Sequence, residues 1–142
     1  MVFVGTTARH AKPEYSLSEL ATEGFITFQT RSIVHQELQD LLHAEGLAQC
    51  RVDTVSSVLV MLRLVEDGAG VATLPRLLVE RANNSRLRIL RCSTELNPIP
   101  LWLSWRKQRN SRSVSVAMDL LQAVLDESIP SERRSRTKPT RR

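Results

Sequence analysis

VDTVSSVLVMLRLVEDGAGVATLP, residues 52–75, reads as a complete β-α-β unit. Val52, Thr54 and Val55 suit a strand, and Ser56 and Ser57 offer hydroxyls to the free N–H groups of a helix starting just after them. From Val58 to Asp67 there is no Gly or Pro, and Val58, Met61, Leu62 and Val65 recur at helical spacing. Gly68 supplies the left-handed residue that ends such a helix. Gly70 to Leu74 is then a short apolar run closed by Pro75, the pattern of a parallel strand buried on both faces. One crossover is complete within this stretch.

Working upstream, the spacing predicts further units of the same kind. Met1 to Gly5 has strand composition. Ser16 with Glu19 forms an S-x-x-E capping box, which predicts a brief helix over 17–22 that Gly24 stops. Phe25 to Phe28 is a compact apolar strand, and Gln29 to Ser32 is the loop at its carboxyl end, where Thr30 or Ser32 caps the next helix. Val34, Leu38, Leu41 and Leu42 mark one face of that helix from Ile33 to Glu45, before Gly46. Arg51 to Val55 is the strand that leads into the central unit.

Downstream, a short helix over 76–81 ends at Asn83 and Asn84, and a strand follows at Leu87 to Leu90. Pro98 and Pro100 fence off a turn before LWLSW, residues 101–105, a strand bearing both tryptophans. The final helix begins after Ser113, with Ala117, Leu120, Leu121 and Val124 on one stripe. Alternating strands and helices predict an α/β fold: a mixed, mostly parallel sheet with helices on both faces.

Composition narrows the function classes. The chain has 142 residues, 42% of them hydrophobic and 25% charged, enough for one domain with a core. No run approaches the roughly 20 apolar residues that span a bilayer. MVFVGTTARH has neither a basic n-region nor a long apolar h-region, so a cytoplasmic place is expected. The isoelectric point near 10.0 arises in the tail. PSERRSRTKPTRR carries six Lys or Arg and one Glu, leaving 14 basic and 14 acidic residues of the 20 and 15 in the whole chain. Residues 128–142 are read as a disordered basic tail, and the folded part as formally neutral.

Cys50 and Cys92 lack CxxC spacing and show no ligand pattern with His10, His35 or His43, so no metal or cofactor is expected. No GxSxG, GxxxxGK or HExxH motif is present, and an enzyme is not expected. Glu66 with Asp67 is read as solvated charge at a helix end. Ligands of open α/β sheets sit outside the carboxyl ends of the strands, which places a candidate site at Gln29 to Ser32 and Thr54 to Ser57. Hydroxyls and helix N–H groups there favour a carboxylate or similar small anion, and Arg31 offers a bidentate partner. The plainer alternative is that Ser32, Ser56 and Ser57 only cap helices while Arg31 is solvated.

Three segments in order carry a family resemblance. The strand with two small polar residues, the helix ending LVEDGAG and the run VATLP resemble the second lobe of the effector-binding domain of LysR-type transcriptional regulators. LSELATEGFITFQTRS resembles the opening of that lobe, and LWLSWRKQRNSRSVSVAMDLLQAVL its return strand and last helix. The resemblance implies a type II periplasmic-binding-protein-like lobe over 1–127. It also implies effector contacts at Thr30, Ser32, Ser56 and Ser57, with Arg31 beside them and the glycine turn at Gly68 and Gly70. The effector would be a small organic anion held between two lobes, and the lobe would belong to a homo-oligomer.

In such regulators operator DNA is contacted through a helix-turn-helix, which is not part of this sequence, and no membrane is involved. The resemblance further implies that Met1 to Gly5 and Leu101 to Trp105 are hinge strands lying side by side. Val116, Met118 and Leu125 of the last helix should be uncovered. A stand-alone α/β binding or interaction module without a regulatory role is the alternative from another class.

Overall fold

The computed structural model describes residues 1–99 and 112–128, and the chain divides into two units, Met1–Leu101 and Trp102–Arg142. In the first unit the elements follow as β1 (Val2–Thr6), α1 (Leu17–Ala21), β2 (Phe25–Thr27), α2 (Ile33–Ala44), β3 (Val52–Thr54), α3 (Val58–Glu66), β4 (Val71–Leu74), α4 (Arg76–Ala82) and β5 (Leu87–Leu90). The strands form one sheet in the order β3-β2-β4-β1-β5. β2 pairs in parallel with both β3 and β4, whereas β1 runs antiparallel between β4 and β5. Four strands therefore point one way and β1 the other, the mixed, mostly parallel α/β sheet that the sequence predicts.

Alternation along the strands feeds two cores. Phe3, Phe25 and Val71 face one side, where Leu17 and Leu20 of α1 and Leu38 and Leu42 of α2 cover them. Val4, Ile26 and Ala72 face the other, under Met61 and Val65 of α3 and Val79 of α4. Successive strand residues point to opposite faces, so a strand buried on both sides has to be apolar throughout, as VATL is. Each such side chain contributes about 1.5–3 kcal/mol by leaving water.

The helix starts follow from local chemistry. Ser16 accepts from the Glu19 N–H at 3.2 Å while the Glu19 carboxylate accepts from the Ser16 N–H at 2.9 Å, closing the capping box. The Lys12 ammonium, 2.6 Å away, and that Ser16 N–H hold the Glu19 carboxyl well below its usual range, at about 2. At the other end of α1 the chain reverses through Gly24, whose φ of +81° is open to glycine without strain.

One sequence reading needs correction here. Glu66 is not solvated charge: its side chain is only 8% exposed, takes Arg63 Nη1 at 2.8 Å and is bonded by the Asn84 amide. Asn84 lies beyond β4 and α4, so no local pattern announces this pairing. In the second unit, α5 (Arg112–Ser128) forms as a helix whose apolar stripe is exposed, with Leu120 at 64% and Val124 at 57%. Val116 is exposed as expected, and Met118 is half-buried. The hinge strand expected at Leu101 to Trp105, its pairing with Met1 to Gly5, the side chain of Leu125 and the basic tail beyond Ser128 lie outside the described residues.

Candidate functional site

Parallel pairing of β2 with β3 and β4 brings three carboxyl ends to one edge of the sheet. Thr27 is level with Thr54, and the Val55 N–H donates to the Thr27 carbonyl at 2.9 Å. The loops that follow, Phe28 to Ser32 and Val55 to Ser57, therefore leave the sheet side by side. Each runs directly into a helix, so the amino ends of α2 and α3 gather at that edge.

Ser32 is the N-cap of α2, its hydroxyl accepting from the His35 N–H at 3.1 Å. Ser57 caps α3, accepting from the Val60 N–H at a long 3.5 Å. Neither helix carries an acidic residue in its first turn, so nothing built in neutralises the positive end of either dipole. Thr30, Arg31 and Ser56 are exposed, and among the described residues their side chains have no hydrogen-bond or ion-pair partner.

Arg31 has φ +75°, in the left-handed region, where a side chain costs about 1–2 kcal/mol. The loop is short: the Ser32 N–H closes back on the Gln29 carbonyl at 3.0 Å. An unpaired arginine on strained backbone, in a loop at the edge where two helices start, is chemistry suited to holding an anion.

Sequence reasoning missed two features of this edge. Thr27 and Thr73 are fully buried and bonded to each other, Oγ1 to Oγ1 at 2.7 Å, directly opposite across β2 and β4. They pin the strand ends from which the loops spring. Arg76 starts α4 just after Pro75 and so emerges at the same edge, with Glu80 Oε1 3.6 Å away. An arginine following the closing proline of VATLP is the signal that was available.

Gly68 and Gly70 are not brought to this edge. α3 returns along the sheet from the carboxyl end of β3, so its last turn and the start of β4 lie at the opposite, amino edge. Gly68, at φ +74°, ends α3, and its carbonyl accepts from Arg9 Nη1 at 3.0 Å. Gly70 is there for closeness: a Cβ would stand 2.8 Å from the Gly24 carbonyl oxygen. The Arg51 guanidinium ties the two turns by donating to the Glu23 carbonyl at 3.0 Å and to the Ala69 carbonyl. The glycines shape the fold, and a helix that starts at one edge of a sheet must end at the other.

Burial pushes the thiols of Cys50 and Cys92 up, which keeps them protonated and unreactive at neutral pH. Among the described residues no group of His, Cys, Asp or Glu is arranged to hold a metal ion, and no helix is long and apolar enough to cross a membrane.

Comparison with known proteins gives the family and the fold. Residues 1–126 match the family described as the LysR substrate binding domain. No curated protein matches the chain. Among solved structures it is similar to the regulatory domain of CcmR from Synechocystis PCC6803 in complex with 2-PG, at 20% identity and a TM-score of 0.60. The likeness covers 88% of this chain and 62% of that one, so the chain spans less than two thirds of that regulatory domain. It is a likeness of fold.

Proposed function

The chain belongs to the LysR substrate-binding domain family, and we propose from this that it is one lobe of an effector-sensing domain, binding a small organic anion at the carboxyl edge of its sheet. The observation that carries the proposal is the convergence at one edge of two helix amino ends free of acidic residues and the unpaired, left-handed Arg31. Thr30, Ser32, Ser56 and Ser57 supply hydroxyl and N–H donors around the anion. Binding, and not catalysis, is what such a set of donors performs. The similar Synechocystis regulatory domain is in complex with 2-PG, which makes 2-PG the first ligand to test here.

A ligand that favours one arrangement of two lobes biases whatever those lobes are joined to, which is how an effector would act on an attached DNA-binding dimer. Contact with operator DNA is assigned to the whole regulator, in the cytoplasm, and not to this lobe, whose charges balance. The edge strand β3 and the exposed Ile33, at 62%, favour a homo-oligomer. Light scattering at micromolar concentration should show dimers or larger species, and a monodisperse monomer would count against that part of the proposal.

Amide shifts of the labelled chain titrated with 2-PG test the site. One lobe buries little of a ligand, so a dissociation constant of about 1 mM or weaker is expected, with perturbations at residues 30–32 and 56–57. Replacing Arg31 with glycine keeps the left-handed backbone and removes the guanidinium. Affinity should fall about tenfold while stability holds or rises. Unchanged affinity in Arg31→Gly, or shifts confined to the tail, would reject the site.

A further inference from the structure

His10 lies at the amino edge of the sheet, away from the ligand loops, and is 1% exposed. Its ring is seated over Gly5, where a Cβ would come within 2.5 Å of Nδ1, and meets the Tyr15 ring edge-on at 5.4 Å between centroids. Nδ1 is 3.0 Å from the carbonyl oxygen of Thr6, which also accepts from the backbone N–H of His10. A carbonyl oxygen has no proton to give, so Nδ1 is the donor.

That leaves Nε2. It is buried, lies 3.0 Å from Glu23 Oε1, and has no aligned hydrogen-bond partner among the described residues. In a neutral imidazole already protonated at Nδ1, Nε2 presents a lone pair. Opposite an ionised carboxylate that contact is repulsive, and it leaves a buried acceptor unsatisfied. One more proton, on Nε2 or on Glu23, turns the same contact into an attraction. Glu23 is 26% exposed and can turn its carboxylate into line.

We propose that His10 and Glu23 hold this additional proton in the folded state and act as a proton-dependent latch between the β1–α1 loop and the α1–β2 turn. The groups facing the pair are few. Arg9 Nη1 stands 3.8 Å from Glu23 Oε2, and Arg88 Nη1 donates to the His10 carbonyl at 3.0 Å. The hydroxyl of Tyr15 accepts from the Lys12 N–H, and the Lys12 ammonium is paired with Glu19. Arg51 reaches only the backbone carbonyl of Glu23. Losing the proton leaves Glu23 to Arg9 and water. The turn that starts β2, where Gly24 meets Gly70, then keeps only the longer, more exposed Arg9 contact as its side-chain tie to the β1–α1 loop.

A folded state that binds more protons than the unfolded one loses stability as pH rises. Thermal unfolding of the full chain between about pH 5 and pH 8 should show this fall, since that window is where an imidazole exchanges its proton. In Glu23→Gln the amide N–H can donate to a neutral Nε2, and no carboxylate remains to repel it. Its melting temperature should vary about 4 °C less than the parent's over the same range. Superimposable profiles for the two proteins would overturn the latch. Nitrogen shifts of His10 in the parent decide the matter if the variant does not fold. A ring protonated at Nδ1 alone at about pH 7, beside an ionised Glu23, would overturn it too, and an additional proton on either group at that pH would support it.

Discussion

Replacing Phe25 with alanine is expected to destabilise the fold by about 3–5 kcal/mol, a large share of the roughly 5–15 kcal/mol that holds a domain of this kind together. Phe25 is fully buried in β2, with its ring centroid 5.8 Å from that of Phe3 in β1. Leu20, Leu38 and Leu42 close over the same core from two helices. Removing the ring leaves a space that none of these elements can fill without abandoning its strand or cap. Urea unfolding should show the midpoint falling with the slope unchanged. Phe28, half-buried one turn of the pleat beyond β2, is the control, and it should cost clearly less. A loss below about 1 kcal/mol in Phe25→Ala would mean that the two faces of the sheet are not packed as described.

Gly70→Ala should cost about 2–4 kcal/mol. The added methyl would meet the Gly24 carbonyl oxygen at 2.8 Å and crowd Arg51 Nη2 at 3.4 Å, and the first of these is backbone. The Val71 N–H donates to that same Gly24 carbonyl at 3.0 Å, so moving the oxygen away costs a hydrogen bond at the start of β4. Gly46→Ala is the comparison. Nothing stands within 4 Å of its Cβ position, and only the backbone at φ +71° is strained, for about 1 kcal/mol. Chemical denaturation of both variants separates close approach from conformational freedom. Equal losses would show that Gly70 is not a contact glycine.

Legibility in the sequence follows the range of each interaction. Ser16 with Glu19, Ser32 and Ser57 cap the helices they precede, and Gly24, Gly46 and Gly68 adopt the left-handed backbone their positions imply, because caps and stops are decided within a few residues. Strand order is not local. That β1 would insert antiparallel between β4 and β5 cannot be read from VFVGT. The pairing of Glu66 is illegible because its partner Asn84 is remote, and His10 shows in the sequence only as a possible metal ligand because Gly5, Tyr15 and Glu23 become its surroundings only on folding.

The candidate site divides along the same line. Gln29 to Ser32 and Thr54 to Ser57 come together because parallel neighbours share their carboxyl edge. Gly68 and Gly70 fall away because grouping them with those loops relied on likeness and overlooked the direction in which α3 runs.

The placement of β1 also sets an order of events in folding. Val4 pairs with Ala72 and with Ile89, so β1, which precedes the other four strands in the chain, is among the last to find its neighbours. The parallel units built from β2, β3 and β4 assemble from nearer contacts, whereas seating β1 closes the longest loops in the lobe and is slowed by their entropy. Until then VFVG is an unpaired apolar strand facing a sheet with an open slot, which another copy of the same strand can enter. Yield of the soluble chain would then depend on how quickly residues 71–90 follow residues 2–6 out of the exit tunnel.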